Sequence, residues 1–288
     1  MYFTELRELA EQMQILRLHC TFVFKQKNQL DEFKGSTLHG WLGRQLHKED
    51  RELFDLLYGE HDQQQPKPYA ISCHDHRTEF VENATLSFTL TLFGGVVQFA
   101  DRLVTALSHK PLGFGKLRAA IALHSVASQT PFGLRLGIRP LPLINCLEQR
   151  APNLVHSCSL QLLSPLRLKE EGRIVKQGVP ALADMLVHTQ RRLAYLVRYW
   201  VNEDPKWQEA IRRPILLGEH QSLESAVYYE DWLRYSNTQQ QLLPFGGLMG
   251  ELSYTGDIYH ALQWLQVGQL LQIGGKTTFG LGCYQVLS

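Results

Sequence analysis

The chain lacks most of what marks secreted, membrane-spanning or metal-organised proteins. Its five cysteines, Cys20, Cys73, Cys146, Cys158 and Cys283, are scattered, odd in number and without a CxxC pair. That argues against a disulfide framework or a cysteine zinc site and for free thiols in a reducing cytosol. No apolar run reaches the roughly 18 residues of a spanning helix. The first ten residues carry Glu5, Arg7 and Glu8 where a signal peptide needs an apolar centre. A soluble cytoplasmic protein with no membrane partner is expected. Charge of one sign is lacking too: 29 Lys and Arg oppose 28 Asp and Glu, for a net charge of +1. No global basic field draws nucleic acid to the molecule, so any such affinity must come from a local patch. A Walker phosphate loop and a GxSxG nucleophile elbow are both absent.

What is present is an ordinary globular composition, 44% hydrophobic and 20% charged over 288 residues, long enough for two modest domains. Leu16–Phe24 reads as a strand rich in β-formers. Ser36 or Thr37 is suited to cap a helix whose apolar face runs through Leu38, Leu42, Leu46, Leu53 and Leu57. Tyr69–Ser72 is extended after Pro68, Thr85–Leu92 alternates as a half-buried strand, Phe99–Ser108 is helical, and Arg118–Val126 closes as a strand. The order β, α, β, β, α, β is the split ferredoxin-like unit.

The proline-bearing stretch around 131–152 reads as a linker between domains at 1–130 and 153–288. Beyond it the order repeats: strand Ser159–Leu168, helix Ala181–Val201, extended segments near Ser225–Tyr229 and Gly247–Tyr254, helix Tyr259–Leu271, and a last strand Thr278–Val286. The expected class is α+β, two tandem ferredoxin-like (RRM-like) domains.

The sharpest motif is Gln269–Val286, QLLQIGGKTTFGLGCYQV. Gly274, Gly275, Gly280 and Gly282 let backbone amides approach a phosphate, and Lys276, Thr277 and Thr278 add charge and hydroxyls. This run resembles the glycine-rich loop of the CRISPR-associated RAMP endoribonucleases that process precursor CRISPR RNA. LLSPLRLKEEGRIV at Leu162–Val175, LGFGK at Leu112–Lys116 and KPYAIS at Lys67–Ser72 resemble three further segments of that family in the same order. The resemblance implies binding of CRISPR repeat RNA along the cleft and loop, with Arg167, Lys169, Arg191 and Arg192 as further contacts. It implies association with crRNA and with other CRISPR effector subunits. It also implies cleavage without metal or small-molecule cofactor, the 2′-OH attacking to leave a 2′,3′-cyclic phosphate. A non-catalytic RNA-binding subunit of an effector complex is the alternative.

Imidazole suits such proton transfer because its pKa lies near neutrality. His39, in LHGWL on the first helix, matches the family's catalytic setting. Gly40 and Gly43 flank it as places where an RNA backbone could come close. His61 with Lys67 matches a second branch by spacing, although an ungapped match puts Tyr58 at that position. His47, two helical turns from His39, ranks third. Cys73-His74-Asp75-His76 has no second cluster at ligand spacing, so no metal is expected there.

Overall fold

The computed structural model describes residues 6–59, 65–115, 117–147, 156–223, 226–231, 233–236 and 241–287. A short helix α1 (Arg7–Gln12) leads into β1 (Gln14–Phe24), β2 (Asn28–Gln29), α2 (Gly35–Glu49), α3 (Arg51–Tyr58), β3 (Tyr69–Ser72), β4 (Glu79–Phe80), β5 (Thr85–Phe93), α4 (Ala100–Ser108) and β6 (Ile121–Thr130). The sheet order β3-β5-β1-β6, every pairing antiparallel, is the split ferredoxin-like arrangement. Strand β1 explains why the sheet has two different faces. Leu16, Leu18, Cys20, Phe22 and Phe24 are buried in the same core cluster as Leu38, Trp41, Leu42 and Leu46 of α2. Arg17, His19, Thr21 and Val23, between them, are only half-buried.

Within the stretch expected as a linker, β7 (Gly133–Leu136) pairs with β6, and β8 (Leu141–Pro142) pairs with the start of β1. The second unit contains β9 (Ser157–Leu166), β10 (Lys169–Glu170), β11 (Arg173–Ile174), α5 (Leu182–Trp200), α6 (Pro205–Arg212), β12 (His220–Leu223), β13 (Val227–Glu230), β14 (Leu233–Ser236), β15 (Gln241–Pro244), β16 (Gly247–Gly256), α7 (Tyr259–Leu271) and β17 (Tyr284–Leu287). Its main sheet runs β12-β16-β9-β17, with β13 also on β16, so the topology repeats. Helices α5 and α7 bury Leu186, Leu193, Leu262 and Leu265 in one cluster with Leu160 and Leu252 of the strands.

The two units share apolar contacts. Leu6, Leu9 and Met13, in and flanking α1, with Ile15, Ala70 and Phe93, belong to the core of the second unit. Trp200 Nε1 donates to Pro66 O at 2.8 Å, and Gln272 Nε2 donates to Ile71 O at 3.1 Å. Gly94, at φ +66°, passes so close to α5 that a Cβ there would lie 2.3 Å from Trp200 O. Glycine is required by both conformation and space.

The helix expected to run through Leu57 is instead two. Asp50 leaves helical geometry at φ −150° and caps α3, its Oδ1 accepting from Leu53 N at 3.0 Å. Arg102 of α4 fixes that carboxylate with Nε at 2.9 Å and Nη2 at 2.7 Å, holding Asp50 below the usual carboxylate range. The last strand starts at Tyr284 because Thr277–Phe279 forms a 3-10 turn and Gly280 and Gly282 are left-handed.

Candidate functional site

Helix α2 begins beside the segment Gln272–Cys283 of the other unit. Lys34, buried just before the helix, donates through Nζ to Glu32 O at 2.9 Å and Arg77 O at 2.5 Å, which anchors the approach. Gly35 then lets the two segments touch: a Cβ there would lie 1.7 Å from Phe279 O. The 272–283 segment holds its shape through Ile273 N to Gly282 O (3.2 Å), Gly275 N to Arg167 O (2.9 Å), Gly282 N to Pro165 O (3.0 Å) and Cys283 N to Ser164 Oγ (2.9 Å). Gly274, Lys276, Gly280 and Gly282 all have positive φ. Gly274 and Gly282 could not carry a side chain without meeting backbone at 2.5 Å and 1.8 Å.

The result is an aromatic cage around His39. The Phe279 ring lies 3.9 Å from the imidazole, centroid to centroid, and the Tyr58 ring 5.1 Å away. Tyr69 Oη is 3.2 Å from His39 Nδ1. Tyr58 Oη donates to His39 O at 2.8 Å. Burial raises both phenols above their ordinary range, so both hydroxyls stay protonated at neutral pH. His39 itself remains half-buried. The contact of Nδ1 with Tyr69 Oη fixes the orientation of the imidazole ring.

The other expected site residues divide. His47 is exposed, roughly 12 Å further along α2 at ~1.5 Å per residue. Its Nε2 meets Arg51 Nη1 and its ring lies edge-on to Phe54. Lys67 Nζ donates to Tyr58 O at 2.8 Å and to Gly59 O, closing the end of α3. His61 lies outside the described residues. Gly43 offers no opening for RNA, because the Tyr58 ring fills that space and a Cβ would meet it at 2.9 Å. Gly40 is open except for Arg44 Nη1, 3.4 Å from such a Cβ.

Lys276 is exposed and Thr278 half-buried, whereas Thr277 is buried. Arg167 is tied by Nη1 to Gly246 O at 2.8 Å, and its stem runs under Gly275. Lys169 and Arg191 are exposed, while Arg192 turns its guanidinium inward. Tyr69, Phe279 and Arg44 were not singled out by sequence reasoning, although Tyr69 lies in KPYAIS and Phe279 in the glycine-bearing run 269–286. The 73–76 cluster disperses. His74 Nε2 approaches Cys283 Sγ (3.9 Å), Asp75 pairs with Arg77, and His76 lies 3.6 Å from Glu32. No helix among the described residues is long and apolar enough to cross a membrane.

Two split βαββαβ units, joined through a shared apolar contact and by a glycine-bearing turn seated on the first helix, define a tandem ferredoxin-like protein. The family model described as CRISPR-associated endoribonuclease Cas6 matches residues 160–284, and a model described as an N-terminal domain matches 55–141. A Cas6 product complex has the same fold, with a TM-score of 0.61 at 15% identity over 95% of this chain and 100% of that one. Thermus thermophilus Cas6 gives 0.59 at 16% identity over 96% and 99%. A RAMP protein solved binding different RNA substrates gives 0.52 at 11% identity over 95% and 100%. No curated protein sequence matches significantly. The Cas6 endoribonuclease model thus accounts for the second unit, and the whole chain shares its tandem fold with solved Cas6 and RAMP proteins.

Proposed function

We propose that this protein cleaves CRISPR repeat RNA in precursor transcripts without a metal ion, with His39 as a proton-transfer group. The observation that carries the reading is the seating of Phe279 and the glycine-bearing turn on His39 across the two units. A lone surface histidine needs no such enclosure. In the reaction the ribose 2′-oxygen bonds to the adjacent phosphorus, the bond to the next nucleotide's 5′-oxygen breaks, and that oxygen takes a proton from water, leaving a 2′,3′-cyclic phosphate and a 5′-hydroxyl. His39 Nε2 takes the 2′-OH proton when Tyr69 accepts from Nδ1–H, and such positioned transfer contributes about 10²–10⁴-fold. Arg44, reaching back over Gly40, and Lys276 on the loop supply positive charge near the phosphate. RNA is the partner this reading requires, in keeping with the product and substrate complexes solved for the structural relatives.

The test is incubation of repeat RNA with the protein in EDTA. A product carrying a 2′,3′-cyclic phosphate supports the reading. Dependence on added metal, or a 3′-hydroxyl product, contradicts it.

A further inference from the structure

Six non-glycine residues have positive φ among the described residues, and five of them, Asn83, Lys110, Arg118, Glu171 and Lys276, are exposed. Gln272 alone is buried. It closes α7 at φ 54° and ψ 141°, outside the left-handed helical well and close to a region ordinarily left to glycine. Glycine is the common occupant where a helix ends with positive φ. The chain carries a long amide there instead, although Gly274 and Gly275 follow almost at once.

That amide is only half satisfied. Its Nε2 donates to Ile71 O of the first unit at 3.1 Å, while Oε1 is buried without a donor among the described residues. A strained dihedral pair and an orphaned acceptor each cost about as much as one neutral hydrogen bond returns, or more. The fold alone therefore gains nothing from glutamine at this position. Such a break in the local rules, with no packing gain, marks a functional constraint.

Where the bond lands gives its purpose. β3 is an edge strand of the first sheet, paired with β5 on one side. Ile71 O receives the start of the loop through Gln272, and the far end of the loop passes the same oxygen: a Cβ at Gly280 would lie 3.3 Å from it. Between those two points the loop carries Phe279, whose ring lies 3.9 Å from the imidazole of His39. Two residues before Ile71, β3 carries Tyr69, whose Oη lies 3.2 Å from His39 Nδ1. One carbonyl thus gathers the two segments that bring Phe279 and Tyr69 to the histidine.

We infer that Gln272 is a positioning residue for RNA cleavage: by tying the loop to the edge of β3, it holds Phe279 and Tyr69 where they orient His39. The inference rests on the RNA-cleaving reading. Gln272 itself, closed to solvent, touches no substrate and acts through the ring it holds in place.

Gln272→Gly separates positioning from structure. Glycine takes the same dihedrals without strain and leaves no orphaned acceptor, so the melting temperature should stay close to wild type. In protein labelled at the histidine Cε1 carbon, the His39 signal, assigned by its absence in His39→Gln, is displaced by the ring current of Phe279. Gln272→Gly should move that signal and leave those of His109 and His188 in place. Single-turnover cleavage should slow by about 10-fold to 10²-fold, with repeat RNA affinity kept within a few-fold. Gln272→Glu keeps the shape and tests the donor. Only its protonated carboxyl can donate to Ile71 O, and burial favours that form, so its rate relative to wild type should climb as pH falls. An unmoved His39 signal or wild-type cleavage in Gln272→Gly overturns the inference. If Gln272→Gly does not fold, the Gln272→Glu ratio decides, and a ratio that is flat or drops with falling pH overturns it. Wild type that cuts no repeat RNA brings down the functional reading and this inference together, whereas cutting that ignores Gln272→Gly brings down the inference alone.

Discussion

Gly35→Ala sets two effects of opposite sign against each other. Gly35 is the first residue of α2, and in a helix alanine is favoured over glycine by about 1 kcal/mol at most. Against this, the new methyl would lie 1.7 Å from Phe279 O, 2.8 Å from Phe279 C and 2.6 Å from Phe33 Cζ. The phenylalanine ring at position 33 can turn away, but a backbone carbonyl held in a hydrogen-bonded turn cannot. Overpacking costs about 1–3 kcal/mol even where side chains alone must yield, and occasionally more. The clash therefore wins, and Gly35→Ala should be about 2 kcal/mol less stable than wild type. For 288 residues, at about 2.1 cal/mol/K of unfolding entropy per residue, that lowers Tm by roughly 3 °C in a thermal melt. Gly40→Ala on the same helix is the matched control. Its nearest obstacle is the flexible end of Arg44, so it should melt at or slightly above wild type. If instead the loop detaches to relieve the clash, Phe279 leaves His39, and RNA cleavage drops more than stability does. A Gly35→Ala protein with wild-type Tm and wild-type cleavage would refute the claim that the loop is seated on the helix.

Three further outcomes follow from the same geometry. Lys276→Ala should weaken binding to repeat and unrelated RNA alike and reduce the salt slope by about 0.7–0.9, since an exposed lysine on a backbone turn contacts phosphate rather than bases. Lys67→Met should lower stability by about 1 kcal/mol through loss of the donor to Tyr58 O and Gly59 O, while the cleavage rate of the folded fraction changes little; a rate loss of 10²-fold or more would restore Lys67 to the chemistry. Burial lowers the pKa of His19, of His74 (with His76 adding to the effect) and of His188 (with Arg191 adding to it). The unfolded chain binds protons at these sites more readily, so stability present above pH ~6.5 should fall as pH drops through the depressed folded values. Urea unfolding at pH 7.5, 6.5 and 5.5 checks this, and His74→Gln should flatten the decline.

The order of elements was legible because strand alternation and helical spacing are local signals. Leu16–Phe24 and Tyr259–Leu271 needed nothing beyond them. The break at Asp50 was hidden because Leu46, Leu53 and Leu57 keep a helical rhythm across it. Only the tertiary grip of Arg102 on the cap makes the interruption firm. Proline content suggested a linker, yet Gly133–Leu136 extends the first sheet, because a hairpin tolerates proline just outside its paired residues. At the site, His39 and the glycine-bearing run were visible as separate motifs. Their meeting, through Gly35 and Phe279, joins residues more than 240 positions apart, and no local pattern encodes it. Tyr58 sat in the right place for a different reason: its hydroxyl serves the His39 backbone and its ring fills the space over Gly43. Arg192 was singled out for charge, but its burial over Phe93 comes from the packing of the two units.

On the proposed mechanism the imidazole enclosed by Phe279, Tyr69 and Tyr58 moves the proton in metal-free RNA cleavage. Single-turnover cleavage of repeat RNA in EDTA by wild type and His39→Ala, with binding measured on the same preparations, tests it most directly. Wild type should cut an all-ribose substrate and leave intact one that is 2′-deoxy at the cut. His39→Ala should lose at least about 10²-fold in rate with affinity kept within a few-fold. Cleavage by His39→Ala at the wild-type rate would contradict it.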